Sequence, residues 1–352
     1  MSTAMRVLVV DDSAYNRKVI SEVLNSLEGV EVVGKASDGN EALQYVARLK
    51  PDLITLDLEM PRMDGFTFLR LLMARRPTPV IVVSGYAAKE NVFRALELGA
   101  VDFVAKPTRS ITGDLPLIRA ELAEKVALVR HLSPPSVRTA RPSLMPRAIS
   151  TGTPQPREEA ARRLVVIGAS TGGPTALVRL FRRLPAELPC AFVVAQHMPA
   201  RFTRTFAERL GRISGLSVRE VQEAETLRTG EAWICPGGQC VEIGIDATVV
   251  VKAPSADDRY VPSANRLFRT ASKKFGRRCL AVVLTGMGDD GAEGAETVVS
   301  RGGHVVVESR ESAAIFGMPG AVLRNQPKAD QLTIPQIAAK IRRFASGGDA
   351  VR

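Results

Sequence analysis

The stretch VVIGASTGGPTALVRL, Val165 to Leu180, changes from an apolar run to glycines at a serine, Ser170. Its first part is typical of a buried strand, and PTALVRL has the spacing of a helix that follows a glycine-rich turn. Such a strand–turn–helix unit is the building block of a mostly parallel α/β sheet. The residues GASTG also match G-x-S-x-G, the pattern of an exposed nucleophilic serine, although the amides of this turn could equally bind a phosphate.

The alternation of strands and helices continues along the rest of the chain. Strand candidates are LVVIGA, AFVVAQ, SVREVQ, AWICP, TVVVKA, LAVVLTG and HVVVES. Helix candidates are PTALVRLFRRL, RFTRTFAERLGRI, NRLFRTASKKFG, GAEGAETVVSRG and IPQIAAKIRRFA. Residues 217–253 lack helical segments and predict an antiparallel excursion. Residues 163–352 therefore predict a doubly wound α/β domain with a mostly parallel sheet.

Another alternating region comes before this one. From Met5 to about Arg130, the runs RVLVV, VEVVG, LITLDL, VIVVSG and DFVAKP are separated by amphipathic segments such as SAYNRKVISEVLNSL. This pattern predicts a parallel sheet with helices on both faces. Between the two regions, residues 133–157 hold six prolines and little apolar periodicity, which is typical of an extended linker. The expected organisation is a first domain at 1–123, a helical extension and linker at 124–162, and a second domain at 163–352.

Composition and charge limit the classes of function. The chain has 352 residues, 45% of them hydrophobic, and no apolar run approaches the roughly 20 residues that span a bilayer. The start MSTAMRVLVVDDS lacks a signal-peptide pattern and the four cysteines are irregularly spaced, so we expect a cytoplasmic protein with reduced thiols. The net charge of +11 divides into −1 over residues 1–122, +5 over 123–163 and +7 over 164–352. A charge spread in this way does not favour a nucleic-acid partner.

Polar side chains follow successive strands of the first region. Asp11 and Asp12 follow the first strand, Asp57 the third, Ser84 the fourth and Lys106 the fifth. Because the carboxyl ends of parallel strands lie at one edge of a sheet, we expect these side chains to share a site. Clustered carboxylates repel one another unless a cation offsets their charge, and Mg²⁺ prefers such oxygen ligands. For any single residue, a helix cap or a solvated loop charge is the alternative.

This pattern resembles the receiver domain of bacterial two-component response regulators over roughly residues 5–123. The resemblance implies a flavodoxin-like fold and a phosphoacceptor carboxylate at Asp57, with metal and ammonium offsetting the charge that develops during phosphoryl transfer. The implied Mg²⁺ ligands are Asp12, Asp57 and the Glu59 carbonyl, with Asp11 nearby. The implied switch residues are Lys106 as the partner of the phosphoryl group, Ser84 as its hydrogen-bond donor, and Phe103 as the switch aromatic.

Neighbouring residues weaken the phosphate-binding interpretation of Ser170. A phosphate loop would place a lysine after its last glycine, but Pro174 follows Gly173. A dinucleotide fingerprint would need a central glycine that GASTGG lacks. A nucleophilic serine is therefore the better interpretation, and it requires a base and an orienting acid.

The chain offers three histidines as the base. His197 ends the strand that follows Ser170, and adjacent parallel strands would place both residues at one sheet edge. His131 lies at the edge of the linker, where a solvated helix end is expected. His304 starts an apolar strand and suits a sheet-entry or core position. We therefore predict that His197 is the base.

The orienting acid has two candidates, Asp289 and Asp290, in the glycine-rich turn after LAVVLTG. Either aspartate could instead cap the following helix. In a triad the histidine takes the serine proton, the acid fixes the histidine tautomer, and backbone amides of the glycine turns receive the oxyanion. The chain order Ser…His…Asp differs from the Ser…Asp…His order of α/β-hydrolases, so that fold is not expected.

Four motifs, GASTGG, AQHMP, LTGMGDDG and SAAIFGMPGAV, resemble the CheB family of chemotaxis protein-glutamate methylesterases over roughly residues 163–345. The resemblance implies Ser170 as the nucleophile, His197 as the base and Asp290 as the orienting acid. It also implies the Met287 backbone N–H as an oxyanion donor. Asn265 departs from the family pattern, which usually has an aspartate in a PSVDVLF-like run.

A receiver joined to such a hydrolase implies an enzyme controlled by phosphorylation. By resemblance, a CheA-type histidine kinase phosphorylates Asp57, and the second domain hydrolyses γ-glutamyl methyl esters on chemoreceptors and deamidates receptor glutamines. Mg²⁺ is expected for phosphorylation and no cofactor for hydrolysis, with contact to membranes only through the receptors. The alternatives are a transcriptional regulator, which salt-dependent duplex binding would reveal, and an inactive interaction module, which a Ser170→Ala variant would reveal.

Overall fold

The first and second parts of the chain each contain their own cluster of buried apolar residues. The computed structural model describes residues 4–85, 89–106, 114–129 and 159–347, with the backbone alone at 114–118 and 128. The chain divides into two compact units, Met1–Leu144 and Met145–Arg352. The predicted linker at 133–157 and His131 lie outside the described residues.

Within its described residues, the first unit alternates strands and helices. The strands are β1 (Met5–Val10), β2 (Val30–Ala36), β3 (Leu53–Leu56), β4 (Val80–Ser84) and β5 (Asp102–Ala105). The helices are α1 (Ala14–Asn25), α2 (Gly39–Leu49), α3 (Gly65–Arg75), α4 (Lys89–Glu97) and α5 (Asp114–Val129). All strand pairs are parallel, in the order β2-β1-β3-β4-β5. The predicted α/β architecture of this unit is confirmed.

The core of the first unit explains why β1 and α1 form where they do. Alternate residues of β1, Val7 and Val9, are buried in the same cluster as Ile20 and Leu24 of α1. The spacing of two along the strand and four along the helix places each pair of residues on the same face of its element. Ser13 precedes α1, and its hydroxyl oxygen accepts a backbone N–H of the first helical turn.

The second unit is built on a larger parallel sheet. Its strands are β6 (Leu164–Ala169), β7 (Ala191–Gln196), β8 (Ser217–Glu220), β10 (Glu231–Ile234), β13 (Cys279–Val283), β14 (His304–Glu308) and β15 (Asp330–Leu332). Their order is β15-β14-β13-β6-β7-β10-β8, and every pair is parallel. The helices are α6 (Gly173–Phe181), α7 (Ala200–Ile213), α8 (Ala264–Phe275), α9 (Ala292–Ser300), α10 (Gly317–Asn325) and α11 (Ile334–Ala345), and a short 3-10 turn, Gly276–Arg278, follows α8.

The antiparallel part of the second unit is a small sheet of its own. Strands β9 (Glu225–Thr226), β11 (Cys240–Ile243) and β12 (Thr248–Lys252) pair in the order β11-β12-β9. The expected antiparallel excursion at 217–253 is thus present, while β8 and β10 within that range join the parallel sheet. Helix α10 and strands β9, β11 and β15 have weak patterns and were not among the predicted elements.

The position of β6 in the sheet determines which turns lie next to Ser170. This strand is central in the sheet, with β13 on one side and β7 on the other. Its last residues, Gly168 and Ala169, pair with Val283 and Gln196, respectively. The turns that follow β6, β7 and β13 therefore meet at one edge of the sheet. Among the described residues, no helix is both long and apolar enough to cross a membrane.

Candidate active site and phosphoacceptor site

Ser170 lies in the tight turn between β6 and α6. Ser170 is 5% exposed, its N–H donates to the Thr285 carbonyl at 3.1 Å, and its own carbonyl accepts the Gly173 N–H at 2.8 Å. Gly172 has a φ of +76°, and a Cβ there would lie 2.8 Å from the Ala314 Cβ. The turn therefore needs glycine for both its backbone conformation and its close packing, which explains the glycines without a bound phosphate.

His197 lies between Ser170 and Asp290. Its Nδ1 is 3.2 Å from the Ser170 Oγ, and its Nε2 is 2.8 Å from the Asp290 Oδ2. An ionised carboxylate only accepts hydrogen bonds, so we assign the ring proton to Nε2. That tautomer leaves Nδ1 as the acceptor for the serine hydroxyl. The three residues come from the turns after β6, β7 and β13, as the strand order requires.

Asp290 is fully buried and has several donors besides the histidine. Its carboxylate accepts the backbone N–H groups of Ala264 at 2.7 Å, Asn265 at 2.9 Å and Gly291 at 3.0 Å. Ala264 and Asn265 are the first residues of α8, whose N-terminal dipole favours a negative charge. These donors hold the carboxylate in place and offset the cost of burying its charge.

Asp289 has different partners from its neighbour. Its carboxylate pairs with the Arg259 guanidinium at 3.0 Å and accepts the Tyr260 hydroxyl at 3.0 Å. The N-cap residue of α9 is Gly291. Of the two aspartates between which the sequence left a choice, Asp290 is the one that faces His197, and neither is the N-cap residue of the helix.

Met287 directly follows Gly286, whose backbone lies against Ser170. A Cβ on Gly286 would be 2.7 Å from the Ser170 Cβ, which shows how closely this backbone approaches the hydroxyl-bearing carbon. Among the described residues, no backbone carbonyl accepts the Met287 N–H. This amide is therefore a candidate donor to an anion at Ser170.

Two residues of this site escaped the sequence analysis. Gln196 is 1% exposed, and its Nε2 donates to the carbonyls of both Ser170 and His197, each at 2.9 Å. Tyr260 stacks on the His197 ring, with centroids 5.3 Å apart and planes 12° apart. Gln196 adjoins the histidine in the AQHMP motif, which was a usable signal. Tyr260 lies in the loop before α8 and gave none.

Asn265 and His304 each connect two elements of the second unit. The Asn265 Oδ1 accepts the Gly294 N–H at 2.8 Å and so connects α8 to α9. An aspartate, which the family pattern usually has at this position, could accept the same hydrogen bond. His304 is the first residue of β14, and its ring packs edge-on against Phe344 of α11 at 5.9 Å.

The first unit holds an acidic cluster at the edge of its sheet. One ligand atom from each of Asp11, Asp12 and Asp57 lies within 4.8 Å of the others. Asp11 and Asp57 are buried, whereas Asp12 is exposed. The Lys106 ammonium donates to the Asp57 Oδ2 and lies 3.0 Å from the Asp11 Oδ2. The predicted proximity of these strand-end residues is observed.

The donor set fits a hard divalent cation. The buried Asp11 Oδ2 accepts no hydrogen bond among the described residues, despite its ion pair with Lys106. Burial raises the pKa of Asp57 to about 6, against the opposing effect of Lys106. A cation among these carboxylates would stabilise their ionised forms.

The remaining predicted residues of the first unit lie near this edge. Ser84 ends β4 and is 2% exposed, and its carbonyl accepts the Lys106 N–H at 2.9 Å. Glu59 is exposed, and its N–H donates to the Asp57 Oδ1 at 3.2 Å. Phe103 of β5 is buried with its ring edge-on to Phe93 at 6.3 Å. The side chain of Phe103 therefore points into the unit.

The fold and the two groups of residues define a class of protein. It joins a receiver-type α/β unit to an α/β unit that carries a serine–histidine–aspartate arrangement. Residues 7–112 match the response regulator receiver domain, and residues 165–341 match the family described as CheB methylesterase.

Known relatives match nearly the whole chain. A protein-glutamate methylesterase/protein-glutamine glutaminase of Geobacter sulfurreducens is 46% identical over 335 residues, which cover 90% of each chain. One of Anaeromyxobacter dehalogenans is 47% identical over 348 residues, which cover 97% of this chain and 96% of the relative. This chain therefore belongs to the CheB methylesterase family of response regulators.

Solved structures resemble the units separately. The CheB methylesterase catalytic domain of Thermotoga maritima is 32% identical, with a TM-score of 0.49, and the match covers 52% of this chain and 98% of that chain. The response regulator domain of Thermotoga maritima CheB is 42% identical, with a TM-score of 0.35, and the match covers 37% of this chain and 99% of that chain.

Proposed function

We propose that this chain is a protein-glutamate methylesterase whose rate is controlled by phosphorylation of Asp57. The observation that carries the hydrolase part is the position of His197, with Nδ1 3.2 Å from the Ser170 Oγ and Nε2 2.8 Å from the Asp290 Oδ2. The substrate class comes from the relatives, which are named protein-glutamate methylesterase/protein-glutamine glutaminase.

The proposed reaction begins with attack of the Ser170 Oγ on the ester carbonyl carbon. His197 Nδ1 takes the serine proton, and the buried Asp290 carboxylate stabilises the imidazolium that forms. The Met287 N–H donates to the oxyanion of the tetrahedral intermediate. Loss of one such donor typically costs about 10²–10³ in rate. The intermediate then expels methoxide, which takes the proton from His197 and leaves as methanol.

The second half of the reaction regenerates the enzyme. His197 removes a proton from water, and the resulting hydroxide attacks the glutamyl–serine ester. The tetrahedral intermediate expels the Ser170 oxygen, which takes the proton from His197, and the glutamic acid product loses its remaining proton to solvent. A glutamine side chain would form the same acyl-enzyme with loss of ammonia, so deamidation requires no additional group.

The first unit is proposed to receive the phosphoryl group on Asp57. Asp12, Asp57 and the Glu59 carbonyl would hold Mg²⁺, with Asp11 nearby, and the ion would offset charge on the transferred oxygens. Lys106 already contacts Asp57 and is placed to pair with the phosphoryl group. Ser84 and Phe103 are proposed to move in response. A CheA-type histidine kinase is the proposed phosphodonor.

The proposed setting is the cytoplasm, where the substrates are the cytoplasmic helices of methyl-accepting chemoreceptors. The proposed regulatory domain is 1–123 and the proposed hydrolase domain is 163–352, joined by residues 124–162. Phosphorylation is proposed to relieve a block of the hydrolase by the first domain. No nucleic acid is needed for this function.

Methanol release tests the hydrolase part of the proposal. Full-length wild-type protein, Ser170→Ala and the control Ser300→Ala are compared on membranes that carry methyl-labelled chemoreceptors. Ser300 is exposed at the end of α9. We expect release by wild type and Ser300→Ala only. Undiminished release by Ser170→Ala would contradict the proposed nucleophile.

The same assay with acetyl phosphate tests the regulatory part. We expect acetyl phosphate and Mg²⁺ to increase methanol release by wild type and to leave Asp57→Asn at its basal rate. If both proteins respond equally, Asp57 is not the regulatory phosphoacceptor.

A further inference from the structure

Tyr260 covers one face of the His197 ring. The two rings are nearly parallel, with planes 12° apart and centroids 5.3 Å apart, which is the geometry of an offset stack. The His197 side chain is 17% exposed, so most of the ring is already enclosed. The tyrosine therefore forms part of the wall that limits where the imidazole can lie.

Asp289, together with Arg259, holds the tyrosine in place. Its hydroxyl donates to the Asp289 Oδ1 at 3.0 Å, and the Arg259 guanidinium holds the same carboxylate at 3.0 Å. Burial and Asp289 raise the pKa of the Tyr260 phenol, so it remains a donor at neutral pH. Asp289 thus fixes the aromatic ring, while its neighbour Asp290 fixes the histidine directly.

The backbone of the Gly288 turn closes on the phenol. Gly288 has a φ of +85°, and a Cβ there would lie 2.3 Å from the Tyr260 hydroxyl oxygen. No side chain other than hydrogen fits without displacing the tyrosine. The Gly288 turn, which carries both aspartates, therefore packs closely against Tyr260.

We propose that Tyr260 is a positioning residue, which keeps the His197 ring in the orientation that directs Nδ1 to Ser170 and Nε2 to Asp290. This inference rests on the proposed function. Rotation of an imidazole by 180° about its last side-chain torsion places carbons where the two nitrogens were. The stacked ring restricts such rotation and tilting, and its π face also stabilises the imidazolium formed during the reaction.

The test follows the reactivity of Ser170 with a fluorophosphonate probe, which needs no receptor. Full-length wild type, Tyr260→Phe and Tyr260→Leu are labelled over a range of pH. The matched control is Tyr45→Leu, a half-buried tyrosine of α2 with an arginine over its ring. Phenylalanine keeps the stacked ring and lacks only the hydroxyl, whereas leucine removes both.

We expect Tyr260→Leu to reduce the labelling rate by about 10- to 100-fold, because a displacement of about 1 Å at a reacting group costs up to about 10². The pH midpoint of labelling is expected to shift as well. Tyr260→Phe should stay within about threefold of wild type, since it keeps the ring that stacks on His197 and loses only the hydrogen bond to Asp289. Tyr45→Leu should match wild type.

Nitrogen NMR of the His197 ring supplies a readout independent of reactivity. The Nε2–H tautomer should dominate in wild type and Tyr260→Phe, and Tyr260→Leu should show a mixture. Wild-type labelling and pH midpoint in Tyr260→Leu, or equal losses in both Tyr260 variants, would overturn the inference. Loss of labelling in Ser170→Ala separates this result from failure of the proposed function, since that variant tests the nucleophile alone.

Discussion

The Gln196 side chain joins the turns of Ser170 and His197, because its Nε2 donates to the backbone carbonyl of each at 2.9 Å. The two carbonyls lie at the ends of neighbouring strands, β6 and β7. A single buried amide therefore links the two turns, in addition to the pairing of the strands that precede them.

Replacement of Gln196 by leucine should impair both activity and stability. Leucine is similar in size but leaves the His197 carbonyl without its donor and the Ser170 carbonyl with the Gly173 N–H alone, which costs about 1–3 kcal/mol of unfolding free energy. We also expect methanol release to fall about 10-fold or more, because the two turns lose this side-chain link. Urea unfolding is followed by fluorescence of Trp233, the single tryptophan, which is buried in β10.

The control for this variant is Gln222→Leu, at an exposed position of the second unit. It should retain wild-type release and stability. Equal behaviour of Gln196→Leu and Gln222→Leu would show that the bridging amide does not set the site geometry.

Asp290→Asn should reduce turnover by about 10⁴ while the protein stays folded. The asparagine oxygen can replace only one carboxylate oxygen, so it keeps either the N–H groups of Asn265 and Gly291 or that of Ala264, and its amide cannot stabilise an imidazolium. Methanol release and Trp233 fluorescence measure the two effects separately. Asp246→Asn, in the exposed turn before β12, is the control. A loss of less than about 10-fold would remove Asp290 from its proposed role.

Removal of Mg²⁺ should prevent phosphorylation of the first unit without changing hydrolysis by the second. Excess EDTA is expected to abolish incorporation of the phosphoryl group from acetyl phosphate, because the Asp11, Asp12 and Asp57 carboxylates are left without a cation. The basal rate of methanol release should not change, since no metal takes part in the proposed hydrolysis. Added Mg²⁺ should restore phosphorylation. Basal release that disappears with EDTA and returns with Mg²⁺ would contradict this division.

The cysteine thiols should be unreactive in the folded protein. Burial raises the pKa of Cys190 and Cys279 to about 12, and all four cysteines are buried. At about pH 8 the native protein should therefore react with less than one equivalent of Ellman's reagent, because the thiolate is the reactive form. In guanidinium chloride all four thiols should react. Rapid reaction of the native protein would contradict their burial.

Glu308→Gln should change the pH dependence of stability. Burial raises the pKa of the Glu308 carboxyl above 4.5, so the folded form favours the protonated group. Its contribution is present below the unfolded pKa and is lost as the pH rises through the folded pKa. Relative to wild type, the variant should therefore gain unfolding free energy as the pH rises from the unfolded pKa of a glutamate through the raised folded pKa of Glu308. Urea unfolding followed at Trp233 measures this difference, and parallel curves for the two proteins would contradict it.

The strand-end residues could be predicted because parallel strands bring their carboxyl ends together. Ser170, His197 and Asp57 each follow a short apolar run, and the sequence alone placed them at sheet edges. The choice between Asp289 and Asp290 could not be made in this way. It depends on which carboxylate meets the start of α8, a contact between segments that are distant in the chain.

The roles of Tyr260 and Gln196 were hidden for a related reason. Tyr260 acts through a stack on a residue of another turn, and no local pattern encodes that contact. In the sequence, Gln196 is only the polar last residue of a strand. Its hydrogen bonds to two backbone carbonyls form only in the folded chain. Side-chain contacts between turns are the part of the site that periodicity cannot reveal.

The central place of β6 in its sheet has a consequence for biosynthesis. One neighbour, β7, is translated soon after β6, but the other, β13, begins only at Cys279. A nascent chain thus contains Ser170 and His197 long before Asp290 has been synthesised. Because Asp290 is the proposed orienting acid, we expect the hydrolytic site to become complete only after this late segment has been translated.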